Sequence, residues 1–213
     1  MRGRALLALG RYEEAERAFD RSVRGGGSEA MGPAADIFRG RGRARLKLGK
    51  YPEAAEDYTR ALERAPDADL YQHRGWAHAF SDAWKLALRD FSKAVELDPG
   101  MGDAYTGRGL ARAMLGDYRG AVADAETALG RSPDTPEMMH NVACVFALAA
   151  ARAGATEDYR GRALEAVRQT LALLPAAERP AFWRDKILAD PALAPIRGDV
   201  RFQRLQDEWA RPR

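Results

Sequence analysis

The sequence predicts an all-α protein built from repeated helix pairs, and three observations predict it. First, Arg-Gly-x-Ala recurs at Arg2-Gly3-Arg4-Ala5, Arg41-Gly42-Arg43-Ala44, Arg74-Gly75-Trp76-Ala77 and Arg108-Gly109-Leu110-Ala111, with the glycines 39, 33 and 34 residues apart. Second, seven residues after three of these glycines stand Gly10-Arg11-Tyr12, Gly49-Lys50-Tyr51 and Gly116-Asp117-Tyr118, and Ser81-Asp82-Ala83-Trp84 holds that place in the other copy. Third, an Ala followed four residues later by a large side chain recurs as Ala15/Phe19, Ala54/Tyr58 and Ala87/Phe91, and prolines close the units at Pro66, Pro99, Pro133 and Pro175. A period of this length marks an array in which each unit buries its apolar face against the next.

Each unit reads as helix A, a tight turn, helix B and a proline-marked turn. Gly42, Gly75 and Gly109 fall where the two helices must approach closely, with aromatic side chains filling the space beside them. The units span 1–27, 35–67, 68–101, 102–135 and 136–175. The first begins inside helix A at Met1 and is expected to be truncated. The Gly-rich insertion Arg24-Gly25-Gly26-Gly27-Ser28 reads as a flexible turn and accounts for the 39-residue spacing. In the fifth unit Pro136, Met139, Val142-Ala143 and Phe146 mark helix A. A longer loop around Arg152–Asp158 follows, then helix B from about Tyr159 to Leu174. Residues 176–213 break the period: Phe182, Ile187 and Leu188 form one amphipathic segment and Phe202, Leu205 and Trp209 another. The prolines of Asp190-Pro-Ala-Leu-Ala-Pro-Ile-Arg-Gly198 preclude one continuous helix between them. A terminal repeat needs a cover for its apolar face, which is the role this segment is expected to fill.

These landmarks resemble the tetratricopeptide repeat (TPR) pattern W-x2-L-G-x2-Y…A-x3-F…P over roughly residues 1–175. The resemblance implies a right-handed αα superhelix, or solenoid, here with a C-terminal helical cap. It implies a non-catalytic protein-protein interaction scaffold that holds a partner peptide or domain in its concave groove. The chain departs from the pattern at Arg41, Arg74 and Arg108, where the family usually has Leu, and at Arg45, His78 and Arg112, where it usually has Tyr. The tail, with the Asn141–Ala149 helix, also resembles TPR regions attached to bacterial serine/threonine protein kinases. That implies an alternative role as a regulatory or oligomerising segment of a larger signalling protein, with self-association through the truncated N-terminal edge. The Lys/Asn clamp by which chaperone-binding TPRs grip a C-terminal carboxylate is not supported, because Asn141 is the only asparagine.

Composition narrows the partner class. Lys plus Arg number 34 against 31 Asp plus Glu, a formal charge of +3 and a pI of about 9.1. That near-balance does not describe a nucleic-acid-binding surface, and the excess of Arg over Lys, with abundant Ala and Gly, fits a GC-rich bacterial genome. Cys144 is the only cysteine, so no intrachain disulfide can form and a reducing compartment is expected. The N-terminus lacks the apolar core of a signal peptide. The longest apolar stretch, Val142 to Ala151, is too short to span a bilayer. A soluble cytoplasmic protein with no membrane partner is the expectation.

Four constellations remain. Arg41, Arg74 and Arg108 each have an Asp sixteen residues later, Asp57, Asp90 and Asp124, whereas the fifth unit has Val142 and Ala166 in those places. This pairing predicts bidentate bridges from helix A to helix B. Asp36, Asp69, Asp103 and Glu137 recur near each helix A start and are expected to cap the positive dipole end. His140 and Cys144 share a helical face, but two donors without a second pair make a poor zinc site, and His73 and His78 diverge. No metal, no cofactor and no enzyme activity are expected, since no Ser-His-Asp set, CxxC motif or phosphate-binding loop is present. The fourth constellation is the stripe that would line the groove: Arg39, Arg43 and Lys47, then Gln72, Trp76 and Phe80, then Thr106, Leu110 and Met114, then His140, Cys144 and Leu148. It changes from unit to unit while the packing face repeats, as specificity positions would. Aromatic anchors beside basic groups suit a peptide with acidic and hydrophobic residues.

Overall fold

The structure is a computed structural model and describes residues 2–27, 31–131, 135–152 and 158–210. Five helix pairs follow one another: α1 (Arg2–Ala8) with α2 (Tyr12–Ser22), α3 (Met31–Lys47) with α4 (Tyr51–Leu62), α5 (Ala68–Phe80) with α6 (Trp84–Leu97), α7 (Gly102–Met114) with α8 (Tyr118–Leu129), and α9 (Pro136–Ala150) with α10 (Tyr159–Leu173). The cap consists of α11 (Arg179–Phe182) running into a π turn at Trp183–Ile187, a 3-10 turn at Pro191–Ile196, and α12 (Val200–Leu205) running into a second π turn. No strand occurs among the described residues. The chain forms two compact units, Met1–Ala104 and Tyr105–Arg213.

The A-to-B turns explain the second sequence landmark. Gly10, Gly49 and Gly116 take φ of 70°, 74° and 90°, in the left-handed region that glycine enters at no steric cost. Each turn is closed by the same paired bonds: Gly49 N–H donates to the Leu46 carbonyl (3.2 Å) and Lys50 N–H to the Arg45 carbonyl (2.9 Å), the double closure of a Schellman motif. The third pair makes the same turn without glycine, and Asp82 is driven to φ 55°. Its bonds are nonetheless intact, from Asp82 to Ala79 (3.0 Å) and Ala83 to His78 (2.9 Å). Replacing Asp82 with Gly removes that strain, so Asp82→Gly is expected to stabilise the protein by about 0.5–1 kcal/mol, read as a higher denaturation midpoint.

Close helix approach explains the first landmark. A Cβ on Gly75 would lie 2.9 Å from the Phe91 ring, and the ring itself is fully buried. The fourth pair has Ala125 where Phe91 stands, and there the backbones themselves approach: a Cβ on Gly109 would sit 3.1 Å from the Ala121 carbonyl oxygen. One small residue on helix A therefore serves two packing solutions.

The expected Arg–Asp bridges are present in all three pairs. Arg41 donates through Nε (2.9 Å) and Nη2 (2.7 Å) to Asp57, Arg74 (2.8 and 2.7 Å) to Asp90, and Arg108 (2.9 and 2.6 Å) to Asp124. The carboxylates are almost wholly buried, at 1%, 4% and 4% side-chain exposure. The departures at the usual Tyr position join the same bridges. Arg45 and Arg112 each reach the shared carboxylate at 2.8 Å, and His78 lies 3.7 Å from Asp90. In the fifth pair Val142 and Ala166 occupy the equivalent places and are buried in an apolar cluster.

The capping expectation needs correction. The residue that caps α5 is Asp67, whose carboxylate accepts from Leu70 N–H at 2.7 Å, and Thr135 caps α9 through Met138 N–H at 3.2 Å. Asp69, Asp103 and Glu137 sit in the first turn rather than at the cap, and Asp36 lies inside α3. A residue one turn inside the helix points its side chain sideways, toward the preceding A helix. Asp36 accordingly bonds Arg4 (2.8 Å), Asp69 meets Arg39 (3.4 Å) and Asp103 accepts from Gln72 (3.1 Å). The recurring acid ties one repeat to the next.

Two other expectations change in detail. The Gly-rich insertion continues α2 as a helical turn, Val23–Gly27, rather than a flexible loop, while Ser28 lies outside the described residues. Met1, Pro133 and residues 153–157 of the long fifth-unit loop also lie outside them. The cap packs on α9 and α10: Ile187, Leu193 and Ile196 are fully buried, and Trp183 meets Phe202 at a ring distance of 4.9 Å. Arg179 Nε donates to the Leu171 and Leu174 carbonyls (2.9 and 3.1 Å), satisfying acceptors that the end of α10 leaves open.

Candidate functional site

In the first compact unit, Met1–Ala104, α3 and α5 present adjoining A-helix faces. The α3 face carries Arg39, Arg43 and Lys47, one helical turn apart. Arg39 is held by Asp67 and Asp69. Arg43 and Lys47 are exposed and have no carboxylate within ion-pair distance among the described residues. Asp69 also receives a hydrogen bond from His73, which holds its carboxyl below the usual carboxylate range. Burial disfavours the charged His73 most, yet the hydrogen bonds to Asp69 and its charge together outweigh burial and raise the His73 pKa. The unbalanced charge on this face is therefore the pair of cations.

The α5 face carries the aromatics. Trp76 is half-buried, meeting Phe91 edge-on at 5.0 Å, and its other side stacks on Phe80 at 5.9 Å and 28°. Phe80 in turn leans on Tyr51 at 5.1 Å and is 53% exposed, although it is a large apolar ring. Trp76 thus joins the core to a solvent-facing aromatic ledge. Gln72, expected on the same face, is buried at 7% and occupied by Asp103.

In the second unit the stripe is mostly closed. Thr106 is fully buried, Leu110 half-buried, and Met114 is 44% exposed. His140 and Cys144 are buried at 7% and 1%, because the cap lies over this face of α9. The expectation of an open groove lining therefore does not describe Gln72, Thr106 or His140. For Gln72 and His140 the physical reason is alike: a neighbouring element, the next A helix for Gln72 and the cap for His140, covers the side chain.

The structure also assembles a group that sequence reasoning missed. His140 Nε2 lies 2.8 Å from Asp190 Oδ2, and Cys144 Sγ lies 3.4 Å from that oxygen and 3.6 Å from the same nitrogen. His140 Nδ1 is buried without a hydrogen-bond partner. Burial, and then the nearby Asp190 charge, push the Cys144 thiol pKa well up. Burial works against the Asp190 charge too, but the bonds from His140, Ala192 N–H and Cys144 prevail and keep it low. Asp190 stands some fifty residues from His140 in a non-repeating segment, so no periodicity could have found it.

Comparison with known proteins decides the family. The Tetratricopeptide repeat family profile matches residues 1–69 and 73–136, well over half of the chain. The chain belongs to the tetratricopeptide repeat family. The solved structures of TPR proteins agree. The chain is similar to YrrB, described as a TPR protein with an unusual peptide-binding site, at 21% identity and a TM-score of 0.62, covering 83% of this chain and 88% of YrrB. It is similar to MamA from Desulfovibrio magneticus RS-1 at 20% identity and 0.61, covering 80% and 90%. It is also similar to TTC0263, a thermophilic TPR protein of Thermus thermophilus, at 25% identity and 0.56, covering 80% and 91%. These likenesses show the helical TPR solenoid fold. They do not show the expected resemblance of the tail to kinase-attached TPR regions. No curated protein matches the chain, and no helix among the described residues is long and apolar enough to cross a membrane.

Proposed function

We propose that this TPR protein is a non-catalytic interaction module whose α3/α5 face in the first unit binds a peptide carrying acidic and large apolar residues. The observation that carries the proposal is the exposed Phe80 ring stacked on Trp76 beside the two unneutralised cations Arg43 and Lys47. Large rings already held in place lose little conformational entropy on binding, which makes them effective anchors. Arg43 and Lys47 supply charge complementarity, which fixes register and speeds encounter more than it adds affinity. Arg39 contributes by holding α3 to the start of α5, and Gln72 by holding α5 to α7, rather than by meeting the ligand.

The test uses a panel of synthetic peptides that pair acidic with aromatic or aliphatic residues, against scrambled and charge-reversed controls, measured by fluorescence anisotropy. Phe80→Ala combined with Arg43→Glu is expected to lower affinity for the best peptide by at least about tenfold while leaving far-UV circular dichroism unchanged. Trp76→Ala is the less clean variant, because Trp76 also packs on Phe91. Undiminished binding by the double variant would reassign the site.

A further inference from the structure

The geometry points to a divalent transition-metal site of the zinc class, formed by His140, Cys144 and Asp190, that pins the C-terminal cap to the fifth helix pair. The three donor atoms are an imidazole nitrogen, a sulfur and a carboxylate oxygen, all within 4.8 Å of one another. This mixed set suits borderline-soft ions such as Zn2+ and Co2+ and excludes the hard, all-oxygen coordination of Ca2+ or Mg2+.

The distances match a tetrahedron. With metal–sulfur bonds near 2.3 Å and metal–nitrogen or metal–oxygen bonds near 2.0 Å, sulfur-to-nitrogen and sulfur-to-oxygen edges come to about 3.5 Å and the nitrogen-to-oxygen edge to about 3.3 Å. The sulfur edges here are 3.6 and 3.4 Å. The remaining edge, 2.8 Å, is a hydrogen bond that opens by about half an ångström when an ion replaces the shared proton.

The surroundings hold the donors in place. His140 and Cys144 stand one turn apart on α9, a rigid and buried helix. Asp190 uses Oδ1 to accept from Ala192 N–H (2.9 Å), which leaves Oδ2 for the ion. Its backbone carbonyl accepts from Arg197 Nη2 (2.5 Å), and the Phe182 ring stands edge-on to His140 at 6.1 Å. The two hydrogen bonds at Asp190 are outer contacts of the kind that fix ligand orientation and tune affinity. The Asp190 side chain is 31% exposed, so an ion can approach there and keep a water as its fourth ligand, as three-ligand zinc sites do. Binding releases the Cys144 thiol proton to solvent, and the proton that His140 Nε2 shares with Asp190 passes to Nδ1 of the neutral ring, which leaves Nε2 free to ligate. Thiolate and carboxylate then neutralise the dication, which suits a buried position.

The consequence is a cross-link between α9 and a segment 46 residues further along the chain. The cap would be docked more firmly when metal is present. The site lies entirely in the second unit and stands or falls independently of the peptide-binding face.

Cys144 is the only thiol in the chain, so a spectroscopic test is unambiguous. The full chain, stripped with chelator and kept reduced, is titrated with Co2+. A near-ultraviolet thiolate-to-cobalt charge-transfer band is expected to saturate at one equivalent per chain and to vanish when Zn2+ is added. Cys144→Ser is expected to abolish the band. His140→Ala and Asp190→Asn are expected to weaken apparent Co2+ affinity by at least about tenfold, with melting curves in chelator establishing that each variant is folded. Absence of the band at tenfold excess Co2+, with Cys144 still titratable by a thiol reagent, would overturn the site and leave a plain hydrogen-bonded triad. So would a band that persists unweakened in both His140→Ala and Asp190→Asn.

Discussion

Asp90→Ala is expected to destabilise the protein by about 3 kcal/mol, through the charge it abandons rather than the contact it deletes. Arg74 loses both of its bridging bonds and keeps Thr59 Oγ1, at 3.0 Å, and its place over the Tyr71 ring, 5.5 Å from the centroid. Its side chain is 20% exposed, so part of the lost interaction is recovered from water, and the expected cost sits at the lower end of the range for a broken buried pair. A guanidinium stays protonated throughout the accessible pH range, so the orphaned group cannot escape by losing its proton. The molecule itself suggests the control. The fifth pair has Val142 and Ala166 in these two places and buries both. The double variant Arg74→Val/Asp90→Ala is therefore expected to recover most of the loss, because a desolvated ion pair exchanged for apolar packing is often neutral. Urea midpoints of the two variants measure the difference directly. An unchanged midpoint for Asp90→Ala would mean that the bridge contributes nothing, and equal midpoints for both would remove the charge argument.

Phe91→Ala is expected to cost about 3–5 kcal/mol, the usual range for a wholly enclosed aromatic ring replaced by a methyl. Phe91 has no exposed surface and is packed between Gly75 and Trp76. The fourth pair holds Ala125 at the equivalent place, and there a Cβ on Gly109 would meet the Ala121 carbonyl oxygen at 3.1 Å rather than a ring. In pair three the ring itself fills the space beside Gly75, so its removal leaves a cavity. The mechanism carries a coupling signature. In the natural background a methyl at Gly75 meets the Phe91 ring at 2.9 Å and must displace it. In Phe91→Ala the ring is gone, so Gly75→Ala is expected to be less harmful there than alone. Additive effects in that double-mutant cycle would place the cost of Phe91→Ala elsewhere. The same variants should loosen Trp76, linking core packing to the proposed peptide face.

Much of this was legible because its causes are local. The turn needs φ above zero at one position, which is why glycine recurs at Gly10, Gly49 and Gly116 and why Asp82 stands out. The Arg–Asp bridges join residues sixteen apart, across a single hairpin, so their presence in three pairs and joint loss in the fifth could be read directly. The aromatic-and-basic stripe was visible as the face that fails to repeat.

The remainder depended on which elements come to lie beside which. Asp36, Asp69 and Asp103 recur at helix starts, and position alone suggested caps. Their true partners, Arg4, Arg39 and Gln72, stand about thirty residues earlier on the preceding A helix. His140 was placed on the open stripe by its spacing, yet an aperiodic cap covers it and supplies Asp190 as its neighbour. By itself, then, the sequence determined the repeat, its turns and the bridges inside each helix pair, because those follow from short-range geometry that returns in every copy. Only the tertiary structure decided which stripe residues meet solvent and which donors converge, because burial is set by elements distant in sequence whose meeting leaves no periodic trace.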